Sequence, residues 1–399
     1  MIQEYARFCG ECGSPLTPGA RFCEQCGSPV PVPARGHAPG MDVPAGSAVT
    51  IIPFVQVKTG FFSLVGCTMV ITGKDLVIIP WTAAMKEEMA QIQEKVLSAL
   101  EKSGLDARSF WEIAASVVPG IPRSFLKAPV VPKEIQKTVI PLITGPGLSH
   151  APWTEYQGRP PESVGADNPG TRRIPLASIE YVRGEVQSED FAGSDLLMVR
   201  TKDREERFFI PLGLFFAARQ ALFSALERLM PASRQGPEAI ISIVPACFEP
   251  GPPGFEFQYY FNLVFTDRRL ILAITPGTED EVEEAWKNFD AAVRQAARER
   301  GESPGDYAAA NDIPSAPWRV FERMDTGEIL DYEGVNYFIP YASIREISFL
   351  PGSGPALAIQ SATHTIALKL SSPDYVERPL QLAKSALQDR VRITFSPGR

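Results

Sequence analysis

The chain has 399 residues, 44% of them apolar and 22% charged, with a formal net charge of −8. That length predicts two or three domains, each able to bury a real core, and the composition excludes a fibrous or disordered chain. The negative balance opposes general attraction to nucleic-acid phosphates or an anionic membrane, and its expected role is solubility.

The first element is a repeat of ten residues. Ala-Arg-Phe-Cys-Gly-Glu-Cys-Gly-Ser-Pro runs from Ala6 to Pro15, and Ala-Arg-Phe-Cys-Glu-Gln-Cys-Gly-Ser-Pro runs from Ala20 to Pro29, fourteen positions later. Each copy supplies two thiolates from a Cys-x-x-Cys turn, Cys9 with Cys12 and Cys23 with Cys26. Gly13 and Gly27 follow, where the backbone must turn so that its amides face the sulfurs. Four thiolates at one tetrahedral centre suit Zn2+, with iron the other ion such a set holds. Disulfide pairing suits a secreted mini-domain, yet Met1–Phe8 lacks a basic segment leading into an apolar stretch, so export is not expected and the expected compartment is cytoplasmic. Some thirty residues cannot bury a self-sufficient core, so ligation worth about 10 to 16 kcal/mol would fold the segment, and the metal is structural. Arg7 to Pro29 resembles the zinc-ribbon family. Cys67 and Cys247 stand apart in apolar, strand-like runs and are expected to be buried and inert.

Prolines at Pro29, Pro31, Pro33, Pro39 and Pro44, with Gly36, Gly40 and Gly46, predict an extended tether after the ribbon. The expected division is therefore a ribbon over 1–30, a linker over 31–47, and two related domains over 48–232 and 238–399. From Thr59 to Lys86 the chain is nearly uncharged, but Lys74 and Asp75 interrupt it and no membrane span is expected.

Three anchors carry the duplication. Ala151-Pro152-Trp153 matches Ala316-Pro317-Trp318, and twenty-one residues after each Trp comes Ile174-Pro175-Leu176-Ala177-Ser178-Ile179 or Ile339-Pro340-Tyr341-Ala342-Ser343-Ile344. Upstream, the hairpin patterns Met69–Ile78 and Leu263–Leu272 correspond. A helix is predicted after each hairpin. Over Ala83–Lys102 the residues Met85, Met89, Ile92, Val96 and Leu100 recur at helical spacing. Over Thr278–Arg300 a capping box of Thr278 with Glu281 precedes the stripe Val282, Trp286, Phe289 and Val293. The acids from Glu279 to Glu284 read as a dipole-matched helix start, not a metal cluster. Strands are predicted over 174–183, 196–201 and 207–212, and again over 339–349, 357–361 and 365–370. Closing helices are predicted over 214–230 and from Ser372-Pro373, with Pro379 bending or restarting the latter. Trp318–Tyr332, around Asp325-Thr326-Gly327, is expected to form a further hairpin.

The order of hairpin, inserted helix, antiparallel strands and closing helix, with Thr266-Asp267-Arg268-Arg269 before Leu270-Ile271-Leu272 and an Ile-Pro-x-x-Ser-Ile segment, resembles the PH-like superfamily, in particular its bacterial PH and GRAM-type members. The resemblance implies an α+β fold class: tandem bent antiparallel sheets, each plugged by a C-terminal helix and carrying an inserted one. In the first copy Gly73-Lys74-Asp75 replaces the basic turn, and both copies carry a long insertion after the third strand.

The resemblance raises lipid binding, but the loop after the first strand offers only Lys58 in one copy and acids without bases from Phe248 to Glu256 in the other, which disfavours phosphate. Arg268 and Arg269 are expected on a solvated turn. A nucleic-acid ribbon would show a basic face, whereas Arg7 and Arg21 are opposed by Glu4, Glu11 and Glu24. His37, His150 and His364 sit beside no nucleophile, and Gly145-Pro146-Gly147 lacks an amide that a phosphate nest needs, so no enzyme is expected. The expectation that remains is a binding or scaffold protein with a protein partner, membrane lipid being the alternative and nucleic acid the next, and no small-molecule substrate. The two copies are expected to pack as a pseudo-dimer with the inserted helices near the junction and with Trp153 and Trp318 structural.

Overall fold

The computed structural model describes residues 50–58, 64–102, 156, 159–185, 194–230, 237–248, 260–275, 279–311, 313, 316–332, 334–350, 356–370 and 373–395, together with the strands β1 (Arg7–Phe8) and β2 (Pro15–Leu16). Two compact units separate between Ala48 and Val49.

The larger unit is α+β and holds two sheets whose strands correspond one to one. The first half contributes β3 (Thr50–Lys58), β4 (Leu64–Ile71), β5 (Asp75–Pro80), β6 (Arg172–Pro175), β7 (Ile179–Glu185), β8 (Ser194–Thr201) and β9 (Glu205–Pro211), in the spatial order β6-β5-β4-β3-β9-β8-β7. The second half contributes β10 (Ile240–Phe248), β11 (Tyr260–Thr266), β12 (Arg269–Ile274), β13 (Tyr337–Pro340), β14 (Glu346–Leu350), β15 (Ala356–Gln360), β16 (Thr365–Leu370) and β17 (Arg392–Phe395). Their order is β13-β12-β11-β10-β16-β15-β14-β17. Apart from the last strand, the two orders are the same. Among the described residues β17 has no counterpart; it lies parallel to β14, the one parallel pair described in sheets otherwise antiparallel.

Among the described residues the helices are α1 (Ala83–Lys102), α2 (Leu212–Glu227), α3 (Glu279–Arg300), α4 (Pro304–Ala310), α5 (Arg319–Glu322), α6 (Thr326–Tyr332) and α7 (Glu377–Leu387). α2 and α7 close their halves as the pattern requires, and Pro379 is accommodated in the first turn of α7, where its missing N–H would have no partner inside the helix. Thr278, expected to make a box with Glu281, lies outside the described residues, as do Ser372 and Trp153.

The hairpin turns share one device. Thr72 Oγ accepts from the amide of Asp75 at 2.8 Å, and Thr266 Oγ accepts from that of Arg269 at 3.0 Å, so a threonine three residues ahead closes each turn. In the first half, alternate residues of β5 serve two cores. Leu76 and Ile78 face the main one, while Val77 and Ile79 pack with Met85 of α1, Tyr156 and Val164. Burial on both faces explains why these strands read as unbroken apolar runs. Cys67 is buried in β4 and its thiol is free. The side chain of Cys247, on β10, lies outside the described residues.

Three expectations are corrected. The Ile-Pro-x-x-Ser-Ile segments are corners, not single strands. Pro175 and Pro340 stand at φ −59° and −58°, and a 3-10 turn follows each, carrying the chain from the sheet's first edge to a new strand at the other end. Trp318–Tyr332 is helical rather than a hairpin, because Asp325 and Glu328 make a reciprocal box: Asp325 Oδ1 accepts from the Glu328 amide at 2.8 Å, and Glu328 Oε2 accepts from the Asp325 amide at 2.9 Å. The inserted helices are not at the junction of the halves. α1 packs on β3–β5 of its own half, and α3 packs with α4, Trp318 and Tyr375 of its own.

The junction is built by β7, α2, β13 and α6. β7 and β13 are edge strands of their sheets and lie against each other, so each covers the other's edge. The approach is close enough to require glycine. A Cβ on Gly184 would lie 2.4 Å from the Gly334 oxygen and 2.4 Å from Phe215 Cζ. One hydrophobic core runs through both halves, with Phe215, Phe223, Phe338 and Tyr337 among its members.

Candidate metal centre and the polar sites of the larger unit

In the smaller unit, β1 and β2 pair antiparallel, with Arg7 opposite Leu16 and Phe8 opposite Pro15. The six residues between the two strands, Cys9, Cys12 and Gly13 among them, lie outside the described residues. The second copy, with Cys23 and Cys26, lies outside them as well, so the four expected ligands are read from the sequence. Four soft thiolate donors in two Cys-x-x-Cys motifs fit Zn2+.

In the larger unit, no group of three or more His, Cys, Asp or Glu side chains among the described residues is gathered to hold a metal. Glu283, from the acidic start of α3, pairs with Lys287 at 2.7 Å. No helix among the described residues is long and apolar enough to cross a membrane. His364 sits at the β15–β16 turn, where its amide donates to Ser361 Oγ at 3.1 Å and its ring lies 6.4 Å from Tyr181.

The expectation of a solvated Arg268-Arg269 pair is corrected for Arg269, which is 3% exposed. Its Nη2 donates to Glu238 at 2.8 Å, its Nη1 reaches Glu227 on α2, and its guanidinium lies 4.5 Å from the Phe338 ring centre. Burial opposes the charge, but Glu238 and Glu227 more than offset it and hold the Arg269 pKa above its ordinary value. Glu238 also accepts from Thr326 at 3.0 Å, so the basic turn is an internal joint between α2, β12 and α6.

A second joint was hidden in α2. Its apolar sequence contains one arginine, Arg219, which is fully buried and donates to the main-chain oxygens of Leu330 and Asn336, the latter at 2.7 Å. Asn336 in turn accepts from the Ile274 amide at 2.8 Å and donates to the Ile329 oxygen at 2.7 Å. A lone arginine in the middle of a mostly apolar helix was the available signal, since such a charge is buried only where partners await it. At the other end of the junction, Ser361 donates to Glu180 at 2.8 Å, and Tyr181 and Tyr337 lie 5.5 Å apart.

The second half also holds a cleft of about 310 Å³ between β10, α4 and α7. One wall is aromatic. Trp286 stacks on Trp318 at 5.4 Å, and Phe289 lies edge-on to Trp318 at 4.9 Å and to Tyr375 at 5.2 Å. Trp318 is thus placed as a packing residue. The Tyr375 hydroxyl donates to Asp290 at 2.8 Å, and burial together with that carboxylate pushes its pKa above the ordinary phenol value. Gly305 of α4 touches the backbone of Asp374, where a Cβ would meet the oxygen at 2.2 Å. The sequence pattern marked none of Ser242, Gly305 or Tyr375, because the cleft forms only where the insertion folds back on the closing helix.

Residues 8–30 match the model of the zinc-ribbon domain. Comparisons with curated proteins and with solved structures found no match. The chain therefore carries a zinc-ribbon, zinc-binding module at its N-terminus.

Proposed function

We propose that this protein is a non-enzymatic adaptor. In this reading the ribbon, held by Cys9, Cys12, Cys23 and Cys26, is a protein-recognition module on a proline-rich tether. Residues 48–232 and 238–399 are two PH-like copies that together form its platform.

The observation that supports the platform is the repeated strand order, each time with a closing helix and a bulged first strand. β3 shifts register between Ile52 and Val55, and β10 between Val244 and Cys247, which bends each sheet around its first strand. Joints buried between the halves favour a rigid support over two independently moving domains. The ribbon's acids and bases nearly cancel, which favours a protein surface over a phosphate backbone.

Affinity capture with the full chain, with Cys9→Ser/Cys12→Ser, and with a chain lacking residues 1–46 tests the proposal. Partners lost in both altered chains are the expected result. A captured set that is the same for all three overturns the role given to the ribbon.

A further inference from the structure

The two halves meet through unlike edges. β7, which follows the corner of the first half, lies against β13, which precedes the corner of the second. The counterpart of β7 is β14 and that of β13 is β6, so the junction runs head to tail instead of joining like with like. Such a contact does not use itself up. It leaves β6 at one end and β14 at the other, and repeated between molecules it runs on into a ring or a filament.

At the β14 end the edge is taken. β17, which has no counterpart among the described residues of the first half, pairs with β14 from Glu346 opposite Arg392 to Phe349 opposite Phe395. The Thr394 hydroxyl donates to Glu346 at 2.7 Å, and Arg392 lies 3.7 Å from the same carboxylate. Phe395 is edge-on to Phe349 at 6.1 Å, Lys384 of α7 lies 5.3 Å from its ring centre, and Ile393 is buried.

The repeat shows what β17 keeps out. Counted from the Ile-Pro-x-x-Ser-Ile corners, Tyr181 corresponds to Glu346 and Tyr337 to Arg172. The contact of Tyr181 with Tyr337, 5.5 Å apart at the junction, therefore translates into Glu346 facing Arg172 of a second copy. One aromatic pair becomes a pair of opposite charges. β17 supplies the arginine from within the chain, as Arg392, while Arg172 stays on Glu206 at 2.8 Å. Phe349 stands where the first half has Gly184, so a second copy sits farther from β14 than Gly334 does from β7.

We propose that β17 is a stop strand: it covers the β14 edge onto which β6 of a second copy of this chain would otherwise dock, head to tail, as β13 docks on β7. The inference goes beyond the adaptor reading and holds whether or not the ribbon recognises a partner. β17 does not itself invite pairing, because it is four residues long, carries Arg392 with its side chain 74% exposed, and is followed two residues later by Pro397.

Sedimentation of the full chain beside a chain ending at Val391 tests this. The full chain is expected to run as a monomer, and the shortened one as a concentration-dependent series that passes the dimer. The full chain presents β6 while its β14 is covered, so labelled full chain should join the series and shorten it. Glu346→Arg in the shortened chain, where Arg392 and Thr394 no longer hold that side chain, sets like charges together and should weaken association at least about tenfold. Ile393→Asp/Phe395→Asp, which releases the strand in a chain of full length, should behave as the shortened chain does. A shortened chain that melts normally and stays monomeric overturns the proposal. So does a series that excludes the full chain or ignores Glu346→Arg, since like edges or unspecific contacts then build it. Loss of the melting transition in both altered chains makes β17 part of the core and overturns it as well.

Discussion

Arg219 and Asn336 are 117 residues apart in the chain, and the guanidinium of one donates to the main-chain oxygen of the other at 2.7 Å with both residues fully buried. The bond crosses from the closing helix of the first half to the corner before β13 of the second. Asn336 spends its own amide on β12 and α6, so one polar relay fixes three elements.

Arg219→Met keeps the apolar stem and removes the donors. The carbonyls of Leu330 and Asn336 lose that partner inside the core, and the expected loss of stability is about 3 kcal/mol. Urea unfolding of the variant checks it, and a midpoint shift without change in slope is the expected form.

Glycine at the junction is a matter of space. Gly184→Ala places a methyl 2.4 Å from the Gly334 oxygen and from Phe215, neither of which is a flexible chain end, and about 2 to 3 kcal/mol of destabilisation is expected. Gly73→Ala meets nothing within 4 Å and is expected to stay within about 0.5 kcal/mol of the parent. Thermal melting of the pair separates a packing effect from a general glycine effect.

Cys67 supplies a pH test. Burial, the dominant influence, raises its thiol pKa from 9.0 to about 11, with Arg172 and Lys86 pulling the other way. The folded value lies above the unfolded one, so this contribution to stability is whole below pH 9 and is lost as pH rises towards 11. Iodoacetamide at pH 8 should leave Cys67 unmodified in the native protein and label it in denaturant, read residue by residue by mass spectrometry.

Zinc removal should act locally. A chelator, or Cys12→Ser, is expected to release the metal and unfold the ribbon, whose size cannot sustain a core, while the melting temperature of residues 49–399 stays unchanged. Metal analysis with calorimetry reads both effects in one sample.

The fold was legible where local chemistry decides it. The hairpins, both inserted helices and the repeated strand order followed from spacing and periodicity. The corners at Pro175 and Pro340 were read as continuous strands, because proline can also begin a strand and periodicity carries no record of which sheet edge a residue joins. Asp325 and Glu328 were readable as a capping box, but Gly327 between them suggested a turn. Arg269 read as a solvated turn residue because its partners, Glu227 and Glu238, are placed by tertiary packing. Nothing local foretold the cleft, whose residues come from β10, the folded-back insertion and α7.

Native-state hydrogen exchange tests the central claim, that the duplicated halves form one cooperative body, most directly. The account predicts that slow amides in β5 and β8, such as Ile78 and Val199, open with the same free energy as Leu272 and Ile359 of the second half, and that Arg219→Met lowers all four equally. Two separate opening energies, with Arg219→Met affecting one half alone, would contradict it.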